Sequence, residues 1–158
     1  MNKSEKFWDK QASSFDPQGG DYGETFYKSL ELTKKHLRTD AVVLDYGCGT
    51  GTMAIEIAHL VHSVDGIDIS SKMLDVAKRK VNEQTIENVR FTQADIFDMH
   101  YQPHSFDVVL AFNILHLLED VPTAIDTINN LLKAGGLFIS ATACLGEKRG
   151  GVSVFCHS

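Results

Sequence analysis

The sequence predicts a doubly wound α/β fold, with a mainly parallel sheet and helices placed ahead of it. Two observations carry this. From Ala41 onward, short β-rich runs alternate with helical ones. The first of those runs, VVLDYGCGTG at 42–51, passes from an apolar strand through a glycine-rich turn toward a helix. Alternating strands and helices imply right-handed crossovers, and hence parallel strands covered on both faces. At 158 residues and 43% hydrophobic content, the chain has the size and apolar content of one domain with a real core.

The elements follow in order. Residues 3 to about 14 pattern as a helix with Phe7, Trp8 and Ala12 on or near one face, ended by the turn-rich DPQGGDYG. A second helix is expected from Glu24 to about Leu37. Strands are expected at Val42 to Tyr46, Val64 to Ile69, Val89 to Gln93, Phe106 to Phe112 and Leu137 to Ala143. Helices at about Gly51 to Val61, Ser71 to Glu83 and Pro122 to Lys133 connect them, with Ala134 to Gly136 as the stop of the last. The expected organisation is a helical cap at 1–38, a core at 40–143 and a short tail at 144–158.

Composition narrows the function classes. A formal charge of -6 with acids spread along the chain argues against a phosphate-backbone partner, so no nucleic acid is expected. MNKSEKFWDKQ has no apolar run after its lysines, and no segment reaches spanning length, so neither a signal peptide nor a membrane partner is expected. Cys48, Cys144 and Cys156 form an odd set without metal-ligand spacing. That fits reduced thiols, a cytoplasmic location and no metal.

The glycine-rich turn limits its own ligand. Glycines at 47, 49 and 51 let the backbone take unusual dihedrals and lie against a small molecule. A dinucleotide pyrophosphate requires GxGxxG, and the third glycine position here is Thr52. Asp45 would also repel a pyrophosphate through a poorly screened interior. A cationic ligand is favoured instead, and S-adenosyl-L-methionine, with its sulfonium and ammonium and no phosphate, is one.

These residues resemble the class I S-adenosylmethionine-dependent methyltransferases, whose first motif has this acidic strand end and GxGxG turn. The resemblance spans roughly residues 40 to 143. It implies a Rossmann-like sheet of strand order 3-2-1-4-5, with the ligand beyond the carboxyl ends of the strands at the switch point between the first and fourth. It also implies cofactor contacts from the turn residues Gly47, Cys48, Gly49, Thr50 and Gly51.

Asp68 ends the second strand, where its two acceptor oxygens suit both ribose hydroxyls; the alternative is an N-cap for the helix near Ser71, a role Ser70 fills better. Ile69 and Met73 would flank the adenine. In QADIFD, the resemblance assigns Asp95 to the adenine amino group and Ala94 and Ile96 to nearby contacts, against the alternative of a turn-forming Asp. Phe112 and Asn113 match positions beside the methionine part, or else are a buried ring and a turn cap. His116 is a candidate general base for an oxygen or nitrogen nucleophile, or a structural residue among leucines.

FWDKQASSFD at 7–16 resembles a lead-in that folds over the cofactor in small family members. Trp8, Phe15 and Tyr22 would then be lid or substrate residues, or rings that anchor a helix. The absence of an NPPY segment or a Pro-Cys nucleophile points away from base methylation and toward a small-molecule acceptor. Beyond Ala143 the family continues through a helix and an antiparallel strand pair, for which 144–158 is too short; a single strand at Val152 to Phe155 is the most expected there. The expected function is methyl transfer by in-line displacement, yielding S-adenosyl-L-homocysteine, with a truncated, non-catalytic binding module as the alternative.

Overall fold

The computed structural model describes residues 3–98, 100–142 and 151–156. Cys144, the expected strand end at Ala143 and most of the tail lie outside the described residues. Helix α1 (Lys3–Gln11) runs into a 3-10 turn at Ala12–Ser14, and α2 (Glu24–Lys34) precedes the sheet. Then follow β1 (Val42–Tyr46), α3 (Thr52–Ile57), β2 (Ser63–Asp68), α4 (Ser71–Glu83) and β3 (Val89–Gln93). The rest is β4 (Phe106–Phe112), α5 (Val121–Leu131), β5 (Leu132–Thr142) and β6 (Gly151–Cys156).

The described strands form one sheet in the order β3-β2-β1-β4-β5-β6. The first five are parallel, as the sequence predicts, and β6 runs antiparallel along the outer side of β5. Adjacent residues of a strand face opposite layers, so an uninterrupted apolar strand feeds two cores. Val43 packs with Met53, Ile57, Leu74 and Ala77 beneath α3 and α4. Leu44, one residue on, packs with Phe106, Ile128 and Leu131 beneath α5. Helix α4 turns Met73, Leu74, Ala77 and Val81 inward, the spacing of a single helical stripe. Among the described residues, no helix is long and apolar enough to cross a membrane.

Three helix ends depart from the sequence expectation, among them α2, which stops at Lys34 where about Leu37 is expected. Helix α5 stops at Leu131, and Ala134 to Gly136 lie inside β5. The pairing of β4 with β5 jumps from Phe106↔Leu132 to Val108↔Leu137, so the AGG segment is an irregularity in the strand, with Gly135 at φ 75°. Glycines there read as a helix stop because periodicity cannot distinguish a stop from a bulge. Helix α3 is also shorter than expected, giving way to a 3-10 turn at Ala58–Leu60.

The turn after β1 is held by backbone contacts. The N–H groups of Gly47 and Cys48 both donate to the Ile67 carbonyl, at 2.8 and 3.0 Å, which locks the turn onto β2. Gly51 combines φ 75° with crowding: a Cβ there would sit 2.6 Å from Phe91 Cζ and 2.9 Å from Ala77 Cβ. Left-handed strain and overpacking both oppose a side chain. Gly51→Ala is therefore expected to destabilise the fold by about 3 kcal/mol, read as a lower denaturant midpoint at unchanged slope; an unchanged midpoint would show that the turn relaxes freely.

Candidate functional site

The carboxyl ends of β1, β2, β4 and β5 open into a cleft of about 1240 Å³. The N-terminal segment walls its other side with Trp8, Phe15 and Tyr22, and α2 adds Thr25, Phe26 and Ser29. This is the location that a sheet reversing direction between β1 and β4 prescribes.

Asp45 and Thr50 are the most buried polar residues lining the cleft. Asp45 is 2% exposed, and its Oδ2 has no hydrogen-bond partner among the described residues. Burial raises its pKa to about 7, the neighbouring Asp68 charge pushes it the same way, and the Ala54 backbone N–H opposes both. A buried carboxylate oxygen without a donor is costly unless a ligand supplies one.

Asp68 closes β2. Its Oδ2 accepts from the Gly49 N–H at 2.9 Å and its Oδ1 from the Ser70 N–H at 2.8 Å. Each oxygen retains acceptor capacity toward the cleft, since a carboxylate offers about four lone-pair sites. Burial raises its pKa and the two backbone donors counter it. The helix cap itself is Ser70, whose Oγ accepts from the Met73 N–H at 3.1 Å, so Asp68 acts on the turn instead.

Asp95 follows β3 and also lines the cleft. The Tyr46 hydroxyl donates to its Oδ1 at 3.3 Å. Burial and the neighbouring carboxylates push the Tyr46 hydroxyl upward, so it stays a donor. Cys48 is likewise held as the thiol, chiefly by burial and then by Asp45 and Asp68. Cys48 is therefore not poised as a nucleophilic thiolate.

Across the switch point, Phe112 ends β4 and Asn113 follows it. Asn113 adopts φ 54°, and its N–H donates to the Ala141 carbonyl of β5 at 2.7 Å. A non-glycine residue in this region is found where the surroundings impose it, as at ligand sites. His116 sits in a 3-10 turn at Leu115–Leu117, exposed, on the same cleft.

Of the residues singled out in the sequence, the cleft gathers Trp8, Phe15, Tyr22, Asp45, Gly47, Cys48, Gly49, Thr50, Asp68, Ile69, Met73, Asp95, Phe112, Asn113 and His116. Gly51, Ala94 and Ile96 are not among its walls. Gly51 faces Phe91 and Ala77 in the helix layer. Ile96 is 1% exposed and belongs to the α5-side core. Ala94 spends its N–H on the Asp68 carbonyl at 3.0 Å. The ring beside Asp95 at the cleft is instead Phe97, one residue past the expected contact: the chain turns after β3, and alternation inferred for a strand no longer applies. Tyr46 went unnoticed in the sequence because an aromatic at a strand end reads as core.

A model of the methyltransferase domain matches residues 37–151 of the chain. The chain belongs to the class I S-adenosylmethionine-dependent methyltransferase family. YcgJ of Bacillus subtilis, described as an uncharacterized methyltransferase, is 31% identical over 110 residues, covering 70% of this chain and 44% of that protein. The crystal structure of YcgJ matches with a TM-score of 0.71 at 30% identity, over 73% of this chain and 50% of that one.

A demethylmenaquinone methyltransferase of Staphylococcus aureus strain MRSA252 is 34% identical over 106 residues, 65% of this chain and 43% of that protein. A Haemonchus contortus phosphoethanolamine N-methyltransferase 2, solved with S-adenosyl-L-methionine, matches at a TM-score of 0.69 and 26% identity, over 74% of this chain and 28% of that one. The chain thus spans less than half the length of these curated relatives.

The donor set fits the family's cofactor. The orphaned Asp45 oxygen calls for a cation or donor, the glycine turn leaves room for an adenosyl group, and Asp68 and Asp95 keep acceptor capacity along one wall. The cleft volume exceeds what one drug-sized ligand requires, roughly 300–1,000 Å³, so a cofactor leaves space beside it.

Proposed function

We propose that the cleft binds S-adenosyl-L-methionine and that the protein transfers its methyl group to a small-molecule acceptor, in the cytoplasm and without a nucleic-acid partner. The observation that carries this is Asp45: a buried carboxylate with an unpartnered oxygen, beside a glycine turn, in a cleft with room for two molecules. When bound, the cofactor supplies an electrophilic methyl group on a sulfonium.

Asp45 would hold the cationic end, Asp68 the ribose hydroxyls, and Asp95 with Phe97, Ile69 and Met73 the adenine. Gly47, Cys48, Gly49 and Thr50 bring backbone close to the ligand, and Phe112 and Asn113 face its methionine part. Trp8, Phe15 and Tyr22 exclude water from the far side. Alignment and desolvation supply much of the catalysis in such a displacement, so no protein nucleophile is needed. His116 is positioned to take a proton from an acceptor whose nucleophile must lose one.

Calorimetry with S-adenosylhomocysteine, followed by methyl-transfer assays on small amines, phenols and thiols, tests the reading. Binding with turnover supports it; binding without turnover on any acceptor favours a cofactor-binding module; no binding overturns it. His116→Ala is expected to slow turnover of a protonated nucleophile about 100-fold while leaving S-adenosylhomocysteine affinity intact, and an unchanged rate would remove His116 from the chemistry.

A further inference from the structure

We propose that Lys80 is a positioning residue: with Asp16, Thr50 and Thr52 it latches the N-terminal segment 3–23 across the cleft, and cofactor affinity depends on that latch. The inference rests on the cofactor reading above for its consequence, and on geometry alone for the latch.

The segment is held weakly by burial. Helix α1 contributes no buried residue, and Ala12 alone is buried among residues 3–23. Phe15, which lines the cleft, is 48% exposed. A strap so poor in buried apolar area opens easily unless polar contacts hold it.

Those contacts converge on Lys80 of α4. Its Nζ lies 2.9 Å from Asp16 Oδ2, 2.9 Å from Thr52 Oγ1 and 3.5 Å from Thr50 Oγ1. The Thr50 hydroxyl donates to Asp16 Oδ1 at 2.5 Å, so both oxygens of Asp16 are engaged. Thr52 Oγ1 donates onward to the Tyr22 hydroxyl at 3.3 Å. The Lys80 and Asp16 side chains are 18% and 27% exposed, far less than the 72% and 80% of the Lys28–Glu24 pair, so solvent screens this pair less.

The position gives the latch its effect. Thr50 lies in the glycine turn and Thr52 opens α3, so one ammonium ties the turn to the strap that carries Trp8, Phe15 and Tyr22. A second pin lies farther along: Asp9 Oδ1 accepts from Ser70 Oγ at 2.6 Å, beside Asp68. A ligand that touches both turn and strap favours the latched state, and by reciprocity the latch favours the ligand.

The test is hydrogen exchange on the full chain without ligand, paired with S-adenosylhomocysteine calorimetry, for Lys80→Met, Asp16→Asn and the double variant. Each single variant is expected to raise exchange across residues 3–23 about tenfold and to weaken affinity about tenfold, with strand protection unchanged. The double variant should lose less than the sum of the two single ones, because both remove the Lys80–Asp16 pair.

Unchanged exchange in 3–23, or additive losses, would overturn the latch. If Lys80→Met fails to fold, Asp16→Asn carries the test, since it leaves the cation on both threonines. Failure of the parent to bind S-adenosylhomocysteine would sink the cofactor reading, while the exchange result still decides the latch.

Discussion

Asp45→Asn is expected to abolish measurable S-adenosylmethionine binding while leaving the ligand-free protein at least as stable as the parent. The two halves have one cause. In the parent, a carboxylate sits in the interior with an unpartnered Oδ2, destabilised by burial and by the adjacent Asp68. Asparagine keeps the shape and removes the charge, which relieves both penalties in the empty cleft. With ligand bound, the same change removes the one buried acid among the described residues, and that acid lines the cleft. Taking one partner from a buried charge pair costs about 3–5 kcal/mol, a loss of about a hundred-fold to several thousand-fold in affinity. Asp45→Ala should lose binding equally while opening a small void. Calorimetry reports the affinity and a denaturant melt the stability. Retained affinity would show that Asp45 does not anchor the ligand; a large loss of stability would show that it holds the turn together instead.

How far the sequence anticipated this site depends on what kind of interaction each residue makes. Asp45, Asp68 and the glycines at 47 and 49 were legible because their roles follow from local chain: strand end, tight turn, acid beside it. The order of the parallel strands was legible once the motif suggested the family. Gly51 reads in the motif as a ligand contact, and in the fold the space a side chain would take there is claimed by Phe91 and Ala77 from two distant elements. Ile96 lies in the core on the α5 side, while the turn after β3 brings Phe97 to the cleft. Lys80 and Asp16 lie 64 positions apart in the sequence. Lys80 reads as one more solvated charge on an amphipathic helix, and Asp16 as a turn residue. Only the folded strap brings them together, and long-range polar contacts of this kind leave no periodicity behind.

The buried acids make the protein's stability and its affinity respond to pH in opposite directions. Asp45 has a folded pKa of about 7 against an ordinary value of 3.8, so the folded chain holds a proton over a window in which the unfolded chain does not. The stability this group contributes is fully present below about pH 4. It is lost progressively as pH rises through about 7, amounting to about 4 kcal/mol over the whole window. Asp68, also raised, adds in the same direction. The ligand-free protein should therefore show a denaturant midpoint that falls between about pH 4 and about pH 7. Asp45→Asn should flatten that fall.

Binding runs the other way, because a cationic ligand selects the ionised carboxylate. Affinity for S-adenosylmethionine should rise through about pH 7, and near pH 6 complex formation should release close to one proton per site. Calorimetry in two buffers of different ionisation enthalpy counts that proton directly. Proton uptake on binding, or a ligand-free stability that climbs through neutrality, would contradict a neutral Asp45 in the empty cleft. Because the ligand restores a charge that the empty fold tolerates poorly, ligand-induced stabilisation should be larger at pH 8 than at pH 6. Asp45→Asn, which binds no measurable ligand, should show no ligand-induced stabilisation at either pH.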